Sequence, residues 1–356
     1  MNAGSAAAFT LPPALEAHEP PEARGVRRDR VRLLVAQRGS GAIAHRRFDE
    51  LPDILNRGDL LVVNTSPTLP AAIDALDRPL QVRFSTAAPH LPGGWHVVEI
   101  RTRGGAAPVR PGTVAAGERI ALAGGDAAVV LVAPYAQSTR LWLAQVQLAG
   151  DATSVAGHLA AHGTPVRYGY VPRAWPLAAY QTAFARDGVP GGDGSAEMPS
   201  AARPFTPELV TRLVSAGVLF APLTLHTGVS SPERREPPYP EAYDVPDATA
   251  RLVDAVRRWG GRVIAVGTTA VRALETVADC DGRVAAGAGW TELVIGPDRP
   301  PRVVDGLITG WHEPEASHLH LLEAIAGTDL LDASYRAALD HGYLWHEFGD
   351  SHLVLP

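Results

Sequence analysis

The stretch that decides the fold is "VIAVGTTAVRALE", Val263 to Glu275. Four apolar residues stop at Gly267, two threonines follow, and an apolar-periodic run then carries Arg272. This is the pattern of a strand, a sharp turn and a helix. A glycine allows the turn, a threonine can cap the helix, and the free N–H groups of a helix start favour an anion. Arg272, one turn in, presents a fork suited to a carboxylate or a phosphate. Ligands of open α/β sheets sit beyond the strand C-termini, so Gly267, Thr268, Thr269 and Arg272 form the first candidate site. The spacing fits neither a P-loop nor a G-x-G-x-x-G fingerprint.

Downstream and upstream of this unit the same alternation recurs. Helices are expected over 206–216, 247–259, 269–279, 317–326 and 331–342, and strands over 218–225, 262–266, 291–295 and 302–308. "TPE" at 206–208 is an N-cap followed by proline at the first helical position. Strands over 31–37, 42–48 and 59–64, with a turn at Gly39-Ser40-Gly41, are expected to join the same sheet. Between 76 and 150 every apolar run is short and turn-bounded, as in "WHVVEIRT" and "AAVVLVAP". The fold class expected is therefore α/β: a main domain with a mostly parallel sheet, formed by 1–75 and 151–356, and an inserted small all-β barrel over 76–150.

Composition narrows the class. The chain has 356 residues, 46% hydrophobic and 20% charged, with a net charge of −6. That balance can bury a core but does not describe a general polyanion binder. The basic run Arg24, Arg27, Arg28, Arg30, Arg32 is the one candidate phosphate face. Cys280 is the single cysteine, which excludes an internal disulfide and a Cys-rich zinc site and fits a reducing, cytoplasmic setting. No signal peptide is expected from the first 25 residues and no apolar run is long enough to span a membrane. His318 and His320 stand two apart on an expected helix and do not share a face. No metal site is expected, His341, His346 and His352 read as surface or core, and the oligomeric state is left open.

Several further segments resemble one family. "FDELPDILNRGDLLVVN" ends on Asn64. "YQTAFA" holds Tyr180 and Gln181. "GWT" holds Trp290 and Thr291, "VVDGLIT" holds Asp305, "HEP" holds His312, and "FGD" ends on Asp350. Taken with "GGRVIAVGTTAVRALE", these are similar to the S-adenosylmethionine:tRNA ribosyltransferase-isomerases of queuosine biosynthesis, over nearly the whole chain. The resemblance implies an α/β domain with an inserted barrel. It also implies that the ribosyl part of S-adenosylmethionine moves to the aminomethyl group of a 7-deazaguanine in tRNA, with isomerisation to the epoxide and loss of adenine and methionine.

In that reading S-adenosylmethionine is a co-substrate and no metal is required. His226, Glu241, Asp305 and His312 are the catalytic candidates. Asn64, Tyr180, Gln181, Ser200, Gly267, Thr268, Thr269, Arg272, Trp290, Thr291 and Asp350 are the substrate-binding candidates. Arg272 is expected to hold the methionine carboxylate, and Trp290 to pack on a base. The chain departs from the family pattern at Thr65, Pro67, Ala72, Pro204 and Glu315, where an Asp, two Arg, a His and a Lys are replaced, and in "HTGVSSP" and Tyr239-Pro240-Glu241. Loss of cationic loop residues predicts weaker contact with tRNA phosphates. Two alternatives stay open: a diverged enzyme with an adenosyl ligand and a non-tRNA acceptor, and an inactive binding protein.

Overall fold

The computed structural model describes residues 9–105, 107, 109–110, 112–136, 138, 140–150, 154–229, 238–314 and 316–356. Glu315 and the end of the "HTGVSSP" loop lie outside them. The chain opens with strands β1 (Arg32–Gln37) and β2 (Ile43–Arg47), a short helix α1 (Leu51–Ile54) and strand β3 (Leu60–Asn64). A second sheet follows: β4 (Ala72–Asp74), β5 (Leu80–Ala87), β6 (Trp95–Thr102), β7 (Arg119–Ala121), β8 (Ala127–Pro134) and β9 (Leu141–Leu148). After helix α2 (Val155–His162) the chain returns through α3 (Pro207–Ser215), β10 (Leu219–Leu225), β11 (Glu241–Val245), α4 (Asp247–Arg258), β12 (Val263–Val266) and α5 (Thr268–Thr276). It ends with β13 (Gly287–Thr291), β14 (Gly306–Gly310), α6 (His318–Ala326), α7 (Thr328–Asp340) and β15 (Ser351–Leu355).

The large sheet runs β13-β11-β10-β3-β12-β14-β15-β1-β2. Four neighbour pairs are parallel, namely β10–β3, β3–β12, β12–β14 and β15–β1. The other four are antiparallel. The sheet is therefore mixed, not mostly parallel. The expectation missed β11 and β15, whose sequences "EAYDV" and "SHLVL" carry polar residues at buried positions, and both bring antiparallel pairings.

Strand alternation splits the core. Leu60, Val62, Ala265, Leu307 and Val354 pack towards α4, α5, α6 and α7. Leu61, Val63, Ile264, Ile308 and Leu353 pack on the other face with Leu51, Leu209 and Leu213 of α1 and α3. Helix α3 starts where the N-cap signal placed it: the Thr206 hydroxyl accepts from Leu209 N at 3.1 Å. The inserted strands form a curled antiparallel sheet, β4-β5-β6-β9-β8-β7, with its own core. Its two edges meet at one bridge, Ala75 to Leu122.

Two expected strands are displaced, each for a visible reason. In 302–308, the amides of Arg302, Val303 and Val304 donate to the Glu275 carboxylate at 2.8, 2.8 and 3.1 Å, so no ladder forms there and β14 begins at Gly306. In 291–295, Leu293 N turns back to Thr291 Oγ1 at 3.2 Å, and the strand precedes Thr291 instead of following it. Among the described residues no helix is long and apolar enough to cross a membrane.

Candidate functional site

Gly267 ends β12 at the middle of the large sheet with φ 93° and ψ 151°. That left-handed backbone favours glycine. Gly267 is itself the N-cap of α5, and no side chain caps the helix, so neither threonine is used as expected. Thr268 and Thr269 instead line a cleft of about 210 Å³ above the strand ends. Its walls come from four segments that are remote in sequence. Tyr168, Tyr170 and Tyr180 stand on one side, Glu197 to Ala201 on a second, Thr309 to Glu313 with His318 on a third, and His346 and Glu347 on the fourth. A smaller cavity of about 100 Å³ shares Thr227, Thr268, Thr269 and His318 with it and reaches Glu241 and Arg272.

The cleft is aromatic on one side and titratable on the other. Tyr168 and Tyr170 stack at 5.8 Å and 19°, and Tyr170 stacks on His346 at 3.7 Å and 9°. His312 and His318 stack at 4.7 Å and 3°. Burial, and then the neighbouring His318, holds His312 well below the usual imidazole range. Burial also lowers His318 and His346, each to about 4. All three rings are neutral at pH 7, in the form that accepts a proton. His312 Nε2 lies 2.9 Å from Thr309 Oγ1. Burial pushes the carboxyls of Glu313 and Glu347 up, and the Tyr170 hydroxyl donates to Glu347 at 2.7 Å. His346 has φ 71°, a strained backbone for a residue other than glycine.

Four buried polar atoms along this cleft have no hydrogen-bond partner: Thr227 Oγ1, Thr269 Oγ1, Trp311 Nε1 and His346 Nε2. A buried polar group left unpaired costs about 1–3 kcal/mol. Their grouping around one cavity is what a site for a polar ligand requires.

Of the residues singled out from the sequence, the cleft gathers Tyr180, Ser200, Gly267, Thr268, Thr269 and His312. The others are placed elsewhere or already engaged. Arg272 does meet a carboxylate, but an internal one: Nη1 donates to Glu241, Nε to Leu293 O at 3.0 Å, and Nη2 to the Tyr239 and Thr291 carbonyls at 3.2 Å each. Four of the five guanidinium N–H groups are thereby used. Glu241 is correspondingly a counter-ion, which also accepts from Gly228 N at 3.1 Å. Thr291 is 1% exposed and its hydroxyl pairs with that of Thr276 at 2.6 Å.

Asp305 accepts from Val263 N at 2.8 Å, at the start of β12. It therefore lies the length of a four-residue strand, about 13 Å, from Gly267. Asp350 clamps Arg32, whose backbone N and Nε donate to it at 2.8 and 2.9 Å. Asn64 ties the ends of β3 and β10 together through Leu225 O at 2.8 Å and Leu225 N at 3.1 Å. Gln181 grips the Thr68 backbone at 3.0 and 2.8 Å. His226 Nε2 donates to Pro190 O at 2.9 Å, so Nδ1 accepts from Ser66 Oγ at 2.8 Å, and the ring lies outside the cleft. Trp290 sits half-buried on the edge strand β13, paired with Ala242, and does not line the cleft.

The basic run is also engaged. Arg27 pairs with Asp29, Arg28 with Glu22, Arg30 with Asp49 and Arg32 with Asp350. Arg24 donates to the carbonyls of Glu19 and Phe348. It is therefore not the free cationic face the sequence suggested. Glu197, Glu313, His318, His346 and Glu347 were not picked out from the sequence as site residues. "HEFGD" carried the one available signal, a His-Glu pair directly before the matched "FGD".

The whole chain matches known proteins. The family model described as "Queuosine biosynthesis protein" matches residues 5–354. The S-adenosylmethionine:tRNA ribosyltransferase-isomerase of Symbiobacterium thermophilum is 37% identical, over 98% of each chain. That of Thermus thermophilus is 35% identical, over 96% of this chain and 99% of its own. The crystal structure of S-adenosylmethionine tRNA ribosyltransferase from Thermotoga maritima superposes with a TM-score of 0.52 at 29% identity, covering 98% of this chain and 99% of the other.

Proposed function

We infer the function from one premise: the chain belongs to the queuosine biosynthesis protein family. It is an enzyme that transfers and isomerises the ribosyl moiety of S-adenosylmethionine onto 7-aminomethyl-7-deazaguanine in tRNA, giving epoxyqueuosine, adenine and methionine. A tRNA substrate supports a cytoplasmic setting for this reaction. S-adenosylmethionine is consumed as a substrate. Its sulfonium acidifies the adjacent 5′ carbon and makes methionine a neutral leaving group once the carbon–sulfur bond breaks. The protein has to accept the 5′ proton, fix the methionine carboxylate and orient two bases.

The observation that carries this reading is the turn at Gly267-Thr268-Thr269, which opens into the cleft with the Thr269 hydroxyl buried and unpaired. We assign the carboxylate of the substrate to this helix start, where the first amides have no partner within the helix and the dipole favours negative charge. Arg272 supports the turn from behind and does not touch the ligand. The stacked Tyr168, Tyr170 and His346 offer a flat wall to adenine or to the acceptor base. His312, neutral and held at Thr309, is the proton acceptor. Asn64, Gln181, Thr291 and Asp350 fix the loops that build the cleft. In this reading the inserted sheet, from about residue 76 to 150, is a second domain beside the catalytic one.

The test is to incubate the full chain with S-adenosylmethionine and tRNA bearing the aminomethyl deazaguanine. The reading expects adenine and methionine in equal amounts and a nucleoside heavier by the transferred ribosyl group. Adenine release that is indifferent to the tRNA would move the acceptor elsewhere. No release and no binding of S-adenosylmethionine would overturn the enzymatic reading.

A further inference from the structure

The inserted sheet, with the helix α2 that follows it, carries a second group of unpaired polar atoms, none of which lines the cleft. Asp126 opens β8 after the glycine turn Gly124-Gly125. His158 and His162 stand four apart on α2 and therefore share a face. One ligand atom from each of the three lies within 4.8 Å of the others. His158 is 5% exposed, yet neither of its ring nitrogens has a hydrogen-bond partner, and Asp126 Oδ1 has none either. The His158 Nδ1 to Asp126 Oδ1 separation is 3.0 Å, close enough to attract but not aligned as a hydrogen bond. The His162 ring lies against Gly124, where a Cβ would come within 2.7 Å of it.

The geometry points to a divalent transition-metal site, Asp126–His158–His162, of the zinc class. Two imidazoles and one carboxylate are a set that borderline metals such as Zn²⁺ and Co²⁺ take, in preference to Mg²⁺ or Ca²⁺. Ligand atoms around a tetrahedral Zn²⁺, at about 2.0–2.1 Å from the metal, lie about 3.3 Å apart. The three ligand atoms lie within 4.8 Å of one another, with 3.0 Å between His158 Nδ1 and Asp126 Oδ1, a spacing that brackets that value. Asp126 is held in the sheet through its carbonyl, which accepts from Ala149 N at 2.8 Å. α2 is anchored by Leu159, 1% exposed in the core of the inserted sheet. The carboxylate and one imidazole are thus preorganised, and the exposed His162 closes over the ion. Three protein ligands leave a fourth position for water. A bound ion would engage Asp126 Oδ1, one ring nitrogen of His158 and one of His162, and clip α2 to the β7–β8 turn. The absence of cysteine clusters points away from a metal in the sequence; the ligand spacing here is H-L-A-A-H, His158 to His162.

The test uses tag-free full-length protein, stripped with chelator and titrated with Co²⁺. Binding of about one equivalent is expected, with the visible d–d bands of a four-coordinate ion, displaced by Zn²⁺. Zn²⁺ should also raise the melting temperature. His162→Ala removes an exposed side chain and should fold normally, checked by circular dichroism. It should lose the bands and weaken Co²⁺ binding by ~100-fold or more. Asp126→Asn should weaken binding in the same direction. No visible bands at a stoichiometric Co²⁺ addition would overturn the site. So would binding that His162→Ala and Asp126→Asn leave unchanged, since the ion would then sit elsewhere.

Discussion

Two neighbouring sets of polar side chains behave in opposite ways. Behind the Gly267 turn, Arg272, Glu241, Thr291 and Thr276 close their hydrogen bonds on one another and on carbonyls. In front of it, Thr269, Thr227, Trp311 and His346 keep buried polar atoms unpaired. Arg272 and Thr269 stand three residues apart in one motif, one in each set, and the motif does not tell one from the other. The difference teaches that closed valence holds a fold, whereas open valence in a cavity is where a ligand completes the structure.

The comparison can be broken first at His312. His312→Asn should lower kcat by ~10²–10⁴, the range for removal of a general base. A steady-state assay of adenine release at saturating substrates measures this, with the melting temperature little changed. Full activity in the variant would remove His312 from the chemistry. Next comes the closed set. Arg272→Met leaves the Glu241 carboxylate buried without a counter-ion, and breaking a buried pair from one side costs about 3–5 kcal/mol. Denaturant unfolding should show that loss, and the Arg272→Met, Glu241→Met double variant should recover part of it. Unfolding at the wild-type midpoint would show that the pair is not structural.

Acid sharpens the contrast more gently. His318, His346 and His352 titrate at about 4, 4 and 3 when folded, because burial disfavours the cation. In the unfolded chain a histidine titrates near 6.5. All are neutral in both states well above that value, so their contribution is fully present there. As pH falls from about 6.5 towards 4, the unfolded chain takes up protons that the folded chain refuses. Stability should then fall by up to ~1.4 kcal/mol per pH unit for each histidine, levelling below its folded pKa. Unfolding midpoints at pH 7, 6 and 5 check the slope; flat stability would show these rings solvated. The smallest effect is expected at Trp290, outside the cleft. Trp290→Ala should leave S-adenosylmethionine affinity within about twofold by calorimetry, because base stacking worth ~1–3 kcal/mol would cost far more if the ring touched the ligand.

The periodic elements were legible in the sequence because burial wrote them there. "DLLVVN" and "VIAV" are buried on both faces, and Thr206-Pro207 announces its helix. β11 and β15 were not legible as strands and β13 was expected a few residues too late, since pairing at a sheet edge or through antiparallel ladders needs no apolar run. The turn at Gly267 was found because glycine, threonine and strand end coincide in eight residues. Glu197 and Glu313 were missed because nothing local distinguishes them, and His346 because its place beside the matched "FGD" was its one local cue. They come to line one cleft only because β14, the 196–201 segment and the 346–347 segment converge over the sheet. Asp305 and Asp350 show the converse: a carboxylate that accepts from backbone amides looks, in sequence, like one that does chemistry.

The most direct test of the account compares Thr269→Val with Arg272→Lys, measuring unfolding stability and S-adenosylmethionine affinity on each. Thr269→Val removes a buried hydroxyl that no protein group uses, so stability should hold or rise, while affinity falls by about tenfold, or ~1.4 kcal/mol. Arg272→Lys breaks the planar fork on Glu241 and three carbonyls, so stability should fall, with affinity in the still-folded fraction largely kept. The reverse pattern, a stable Arg272→Lys that no longer binds S-adenosylmethionine beside a Thr269→Val that binds it normally, would contradict the account and return the anion site to Arg272.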